Sequence, residues 1–183
     1  GTVRLDSRGG SITDAVAGVN ITGGTVSLTA QAGGIETEVD ASSQVSADAS
    51  ATLDQTITLA STTGDLRLGA ITTSGNGTVN LTSTAGITQT SGQVVASTLN
   101  VTAPGSVGSA TSLINTMVGT LNSSNPVGGL FVNETDGLVL GNVTSTAGVS
   151  VVAGGDVTGG ANIDATGDAN VEGSAVTLGT VAA

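Results

Sequence analysis

The sequence predicts an all-β chain wound as a right-handed parallel β-helix, a β-solenoid of roughly eight rungs with about 20 residues each. Three observations carry this. Apolar and small polar residues alternate in short runs, which is the strand period. Glycine and asparagine punctuate those runs, and there are 29 glycines in 183 residues. Equivalent runs recur at spacings of about 20–23, as from Val3 to Val26, Ile57 to Val79, Val79 to Leu99 and Leu130 to Val149. No single rung of this kind buries its apolar face, so the repeat makes sense only as a stack. A β-sandwich is the alternative, but it calls for hairpin turns and an aromatic core. Phe131 is the one aromatic residue.

In chain order the runs are Val19–Asn20–Ile21–Thr22, Val26–Ser27–Leu28–Thr29, Ile57–Thr58–Leu59, Leu66–Arg67–Leu68, Val79–Asn80–Leu81–Thr82 and Leu99–Asn100–Val101–Thr102. Leu130–Phe131–Val132, Leu138–Val139–Leu140, Val149–Ser150–Val151 and Val176–Thr177–Leu178 follow. In each, positions i and i+2 share one face. Residues 1–183 read as a single solenoid. Spacings near 31, from Val26 to Ile57 and from Leu99 to Leu130, suggest longer rungs or insertions, with longer rungs possible at 36–56 and 108–126. Within 41–56, Val45, Ala47, Ala49, Ala51 and Leu53 alternate, which favours a strand over an alanine-rich helix capped by Asp40. Leu113, Ile114, Met117, Val118 and Leu121 have near-helical spacing, for a helical excursion or a rung with a bulge, and Pro126 is expected to end it.

Composition excludes much chemistry. Cysteine, histidine and lysine are absent, so thiol nucleophiles, disulfides, histidine triads and the usual zinc, haem and iron–sulfur ligand sets cannot be assembled from this chain. The net charge is −11, and Arg4, Arg8 and Arg67 are the only cationic side chains, which argues against nucleic acid and anionic membranes as partners. Polar residues interrupt every apolar stretch before it reaches a membrane span. The density of valine, isoleucine, leucine and threonine argues against disorder, although residues 68–133 carry no charge. The chain opens Gly–Thr–Val–Arg with no signal peptide, and reads as a processed chain or a fragment.

Two phrases carry a family resemblance. Gly–Asp–Leu–Arg–Leu–Gly–Ala–Ile from Gly64, continued by Gly–Thr–Val–Asn–Leu–Thr–Ser–Thr–Ala–Gly–Ile–Thr–Gln from Gly77, is one. Gly–Leu–Phe–Val–Asn–Glu–Thr–Asp–Gly–Leu–Val–Leu–Gly–Asn–Val from Gly129 is the other. Together they resemble the shaft repeats of filamentous-haemagglutinin-like bacterial exoproteins, over nearly the whole chain. The secretion domain of that family carries Asn–Pro–Asn motifs, whereas here Asn125–Pro126–Val127 lacks the second asparagine. The resemblance implies a shaft segment of a secreted bacterial surface adhesin. It would support cell adhesion by presenting a distal region that binds host or neighbouring-cell ligands. It carries over no catalytic, cofactor, metal or binding residue.

Several residues are candidate sites. Asp156, Asp164 and Asp168 lie in a glycine-rich stretch, but without the tandem nonapeptide of calcium-binding rolls. Glu36 and Glu38 share a strand face, as an acid/base pair would, yet lack the arginines and aromatics of a sugar groove. Asn20, Asn76, Asn80, Asn100, Asn122, Asn133 and Asn142 open Asn-x-Ser/Thr triplets, which outward Asn and Thr of strand phrases generate automatically. Thr56/Thr58 and Thr82/Thr84 suggest an ice-binding array, but Ser27/Thr29 and Ser150/Val152 read as breaks in it. The chain is therefore expected to be no enzyme and to need no cofactor. Neither 1–6 nor 176–183 looks like an amphipathic cap, so the open edges suggest a longer shaft or end-to-end self-association. A self-assembling extracellular filament or sheath subunit is the second functional reading, and a carbohydrate-active β-helix the third.

Overall fold

The computed structural model describes residues 1–159 and 163–183, and for 124–127 the backbone alone. Every regular element among the described residues is a strand. The first half holds β1 (Thr2–Ser7), β2 (Ile12–Thr13), β3 (Ile21–Ala30), β4 (Ile35–Asp48), β5 (Thr56–Ser61), β6 (Leu66–Thr72), β7 (Thr78–Ser83), β8 (Ile87–Gln89) and β9 (Val94–Thr102). The second holds β10 (Ser106–Val107), β11 (Ile114–Val127), β12 (Gly129–Glu134), β13 (Leu138–Ser145), β14 (Val149–Ala153), β15 (Val157–Gly159), β16 (Ile163–Ala165), β17 (Ala169–Glu172), β18 (Val176–Leu178) and β19 (Val181–Ala182). The ladders joining them run parallel, and each strand pairs with strands one coil away. This is a parallel β-helix of about nine turns, one more than the spacing predicts. At ~4.8 Å per coil the rod is about 40 Å long.

Two files of inward residues run through the stack. One passes Leu5, Leu28, Ala47, Ile71, Val94, Thr116, Glu134 and Ala153, each paired with the next. The other passes Ile12, Ile35, Ile57, Val79, Leu99, Leu121 and Leu140. Its members from Ile35 to Leu140 are essentially closed to solvent. Further buried files stand beside these two, among them Leu66, Ile87, Val107, Leu130 and Val149, so the core is a column of stacked aliphatic side chains.

The registers correct the long-rung expectation. Val26 stacks on Val45 rather than on Ile57, and Leu130 stacks on Val107 rather than on Leu99. The spacings near 31 compared different files. Glu36 pairs with Thr58 at a step of 22, and Val107 with Leu130 at a step of 23, so neither coil is long, but Val107 and Ile114 lie seven residues apart where their partners Leu130 and Val132 lie two apart, an insertion at 108–113. The strand reading of 41–56 holds as far as Ala49. A turn then follows, and Leu53 is 66% exposed. Residues 114–127 form β11, with no helix, and the strand runs through Pro126. The helical spacing came from a change of phase. Ile114, Thr116 and Val118 point inward, the chain bends at Gly119, and Leu121 resumes the inward parity one residue late.

Corners are closed by inward hydroxyls. Ser83 and Ser145 occupy matching places in Leu–Thr–Ser–Thr–Ala–Gly–Ile (81–87) and Val–Thr–Ser–Thr–Ala–Gly–Val (143–149). The Ser83 hydroxyl donates to the Gly64 carbonyl (2.7 Å) and accepts the Ala85 amide (3.1 Å). The Ser145 hydroxyl accepts the Ala147 amide at 3.2 Å. Backbone groups at these two corners thereby find side-chain partners.

Candidate functional site

The described residues form no enclosed site, so the candidate surfaces are the outer strand faces and the coil ends. On the second ladder, outward residues stack in register over four coils. Thr56, Thr78, Thr98 and Thr120 form one row, and Thr58, Asn80, Asn100 and Asn122 the next. Thr82 and Thr102 stack on Ala60 in a third. One threonine row is thus continuous, but its neighbour is threonine only at Thr58, so the Thr-x-Thr array does not repeat from coil to coil, as the sequence suggests. Ser27, Thr29, Ser150 and Val152 lie on the first ladder and interrupt nothing.

The asparagine row is a ladder of side-chain amides. Asn80 Nδ2 donates to Thr58 Oγ1 (3.2 Å), Asn100 Nδ2 to Asn80 Oδ1 (2.8 Å), and Asn122 Nδ2 to Asn100 Oδ1 (2.9 Å). Asn133 donates to Asn115 Oδ1 (3.0 Å) in a second, shorter ladder. Asn80, Asn100, Asn122 and Asn133 therefore each donate an amide hydrogen along the stack. Asn20 is also engaged, donating to Asp14 and to the Val16 and Gly18 carbonyls. Asn76 and Asn142 are exposed.

Gly141 ends the ladder, because the Asn122 carboxamide lies where its Cβ would sit. Gly141→Ala should displace Asn122 and break its bond to Asn100, lowering stability by about 1 kcal/mol. In an Asn122→Ala background the same change should cost little, and urea unfolding of the four proteins of that cycle measures the coupling. Simple additivity would contradict the contact.

Glu36 and Glu38 lie on the outer face of β4, Glu36 exposed and Glu38 half-buried. The loop after β2 arches over them, leaving a shallow groove of about 340 Å³ lined by Asp14, Val16, Glu36, Glu38, Thr58 and Ala60 among others. Asp14 holds this loop. It accepts the Val16 amide at 2.9 Å and the Asn20 amide, and reaches the Glu38 backbone amide at 3.5 Å. The Val16 bond holds its carboxyl below the usual value, with help from Asn20, while partial desolvation opposes them. Cations are missing from the lining, and Arg67 is turned to the Ser42 carbonyl instead.

Asp156 and Asp168 sit at exposed corners before β15 and β17, and Asp164 points outward from β16. Residues 160–162 of that glycine-rich stretch lie outside the described residues. Among the described residues no three carboxylates gather as a metal site, and no helix is long and apolar enough to cross a membrane.

The residue that sequence reasoning missed is Glu134. It is 2% exposed, in an inward file otherwise built of small and aliphatic residues and Thr116. Its carboxylate accepts the Thr116 hydroxyl (2.7 Å) and the backbone amides of Val118 (3.1 Å), Thr135 (2.9 Å) and Asp136 (3.4 Å). Gln93 braces the same corner, donating to the Thr116 carbonyl and the Thr135 hydroxyl. Burial pushes the Glu134 carboxyl up, against the pull of those donors. The signal was legible in Leu130–Phe131–Val132–Asn133–Glu134, where the acid falls on the inward parity of Leu130 and Val132.

Comparison with known proteins found no matching family model, no similar curated protein and no similar solved structure.

Proposed function

We propose that this chain is a mechanical spacer, a shaft segment of a secreted bacterial surface protein that supports adhesion by holding a distal binding region away from the cell. The observation that supports this reading most is the unbroken file from Ile12 to Leu140. Seven successive coils are locked by one column of paired aliphatic residues. Such a column resists bending and length change, because each coil is hydrogen-bonded and packed to both neighbours. The resemblance to haemagglutinin-like shafts supplies the bacterial surface setting. A role in reach places recognition elsewhere in the assembly.

The test is direct. Purified chain on beads is offered to a polysaccharide panel, extracellular-matrix proteins, host cells and ice, with hydrolysis of the polysaccharides followed in parallel. A spacer shows no saturable binding and no turnover. Saturable binding to ice or to one polymer would move the function to the threonine face, and turnover would restore the carbohydrate-active reading. Either result defeats the spacer role.

A further inference from the structure

The corner between β6 and β7 admits only glycine at position 77. A Cβ there would lie 2.6 Å from Thr73 Cβ and 2.9 Å from the carbonyl oxygen of Gln55 in the preceding coil. Asn76 comes just before it, and Asn76–Gly77 is the one Asn–Gly pair in the chain. Every other asparagine is followed by a residue whose side chain shields the next backbone nitrogen. Asn76 is exposed, and among the described residues its carboxamide has no hydrogen-bond partner. The carboxamides of Asn20, Asn80, Asn100, Asn122, Asn133 and Asn170 all donate to neighbours. Packing therefore forces at this corner the pair whose amide nitrogen is least covered.

Asp54, one coil earlier, clamps the same corner. Its Oδ1 accepts the Asn76 backbone amide at 2.6 Å, and its own amide donates to the Ser74 carbonyl at 3.0 Å. That carbonyl also accepts the Gly77 amide at 3.2 Å, closing a tight turn with Gly75 at φ 65. Asp54 is the one non-glycine among the described residues with a positive φ, 61. The conformation is uncommon outside glycine, and here it delivers the carboxylate to the next coil.

We propose that Asn76–Gly77 is a site of spontaneous covalent modification, held back by the Asp54 clamp. When the turn opens, the Gly77 amide leaves the Ser74 carbonyl and gives its proton to hydroxide. Its nitrogen then attacks Asn76 Cγ. The N–Cγ bond forms, the Cγ–Nδ2 bond breaks, and ammonia leaves with a proton drawn back from water. A second water opens the cyclic imide at either carbonyl, giving aspartate or isoaspartate without any change of oxidation state. Both products set a new carboxylate beside Asp54. Isoaspartate also lengthens the main chain by one methylene, just where the Thr78 amide donates to the Gln55 carbonyl at 3.1 Å to join the coils. The proposal concerns the chemistry of the corner and does not depend on what the rod supports.

The unaltered chain, Asn76→Gln and Asp54→Gly are held in mildly alkaline buffer made with heavy-oxygen water, and their peptides are mapped by mass at intervals. Glycine takes the φ of Asp54 without strain, so Asp54→Gly removes the carboxylate and keeps the turn. Circular dichroism checks that both variants keep the sheet. Asn76 should be the first asparagine to take up label, with isoaspartate among its products. Asp54→Gly should speed its conversion at least about threefold, because the unclamped corner opens more often. Asn76→Gln should carry no label in the same peptide, since glutamine must close a larger ring. Another asparagine converting first overturns the proposal, and so does label that persists in Asn76→Gln. Asn76 intact in both the unaltered chain and Asp54→Gly, or converting equally fast in the two, overturns it as well.

Discussion

Leu99→Ala is expected to cost about 2–5 kcal/mol and to split the single unfolding transition of the rod in two. Leu99 is 1% exposed and sits between Val79 and Leu121 near the middle of the second file. Its isobutyl group is enclosed by the stacked aliphatic core. Strands bonded to coils on both sides cannot close in to refill the gap, so the cavity persists and the cost includes it. In a stack whose stability is the sum of coil and nearest-neighbour terms, a weak central interface uncouples the blocks on either side. The same truncation at Leu178 should cost less, about 1 kcal/mol or under, because that side chain is only half-buried and leaves little cavity. Urea unfolding followed by circular dichroism measures both. Equal losses at Leu99 and Leu178 would mean that the rod unfolds as one unit, insensitive to position along its axis.

The fold was legible because its rule is local. Val79–Asn80–Leu81 and Leu99–Asn100–Val101 state both which side chains go inward and that one coil sits on the other. What could not be read directly was which phrase stacks on which. Both ladders use the same apolar-x-apolar wording, so Val26 looks as good a partner for Ile57 as for Val45. Corner geometry decides between them, and corners are written in glycine, serine and threonine, which differ little from turn to turn. The same ambiguity hid the threonine row, which emerges only when Thr56, Thr78, Thr98 and Thr120 are assigned to one face. The amide ladder was visible as asparagine repeated at the middle of successive phrases, and reading it as a by-product of strand composition missed its bonding.

Glu134 makes the stability of the rod rise on acidification, the reverse of what a paired surface carboxylate does. Burial raises its folded-state pKa above the ordinary 4.5. Between that value and the raised one the folded chain therefore holds a proton that the unfolded chain has released, and unfolding free energy falls as pH climbs. The contribution is complete below pH 4.5 and is lost as pH rises through the folded pKa. Asp14 works the other way, since its folded pKa is lowered from 3.8, so its contribution fades as pH falls through the folded value. It is half-buried at the surface, and solvent screens it. The melting temperature should therefore be higher near about pH 5 than near about pH 8. General relief of the −11 charge acts in the same direction, so the slope alone does not identify Glu134. Glu134→Gln separates the two, because it keeps the shape, removes the titration and leaves general repulsion in place, and it should flatten much of the slope. Glu134→Ala should instead cost about 1–3 kcal/mol at both pH values, since the buried Val118 amide and Thr116 hydroxyl lose their acceptor. A full slope surviving in Glu134→Gln would assign the effect to net charge, and the buried carboxylate would then be a fixed structural staple with no proton to trade.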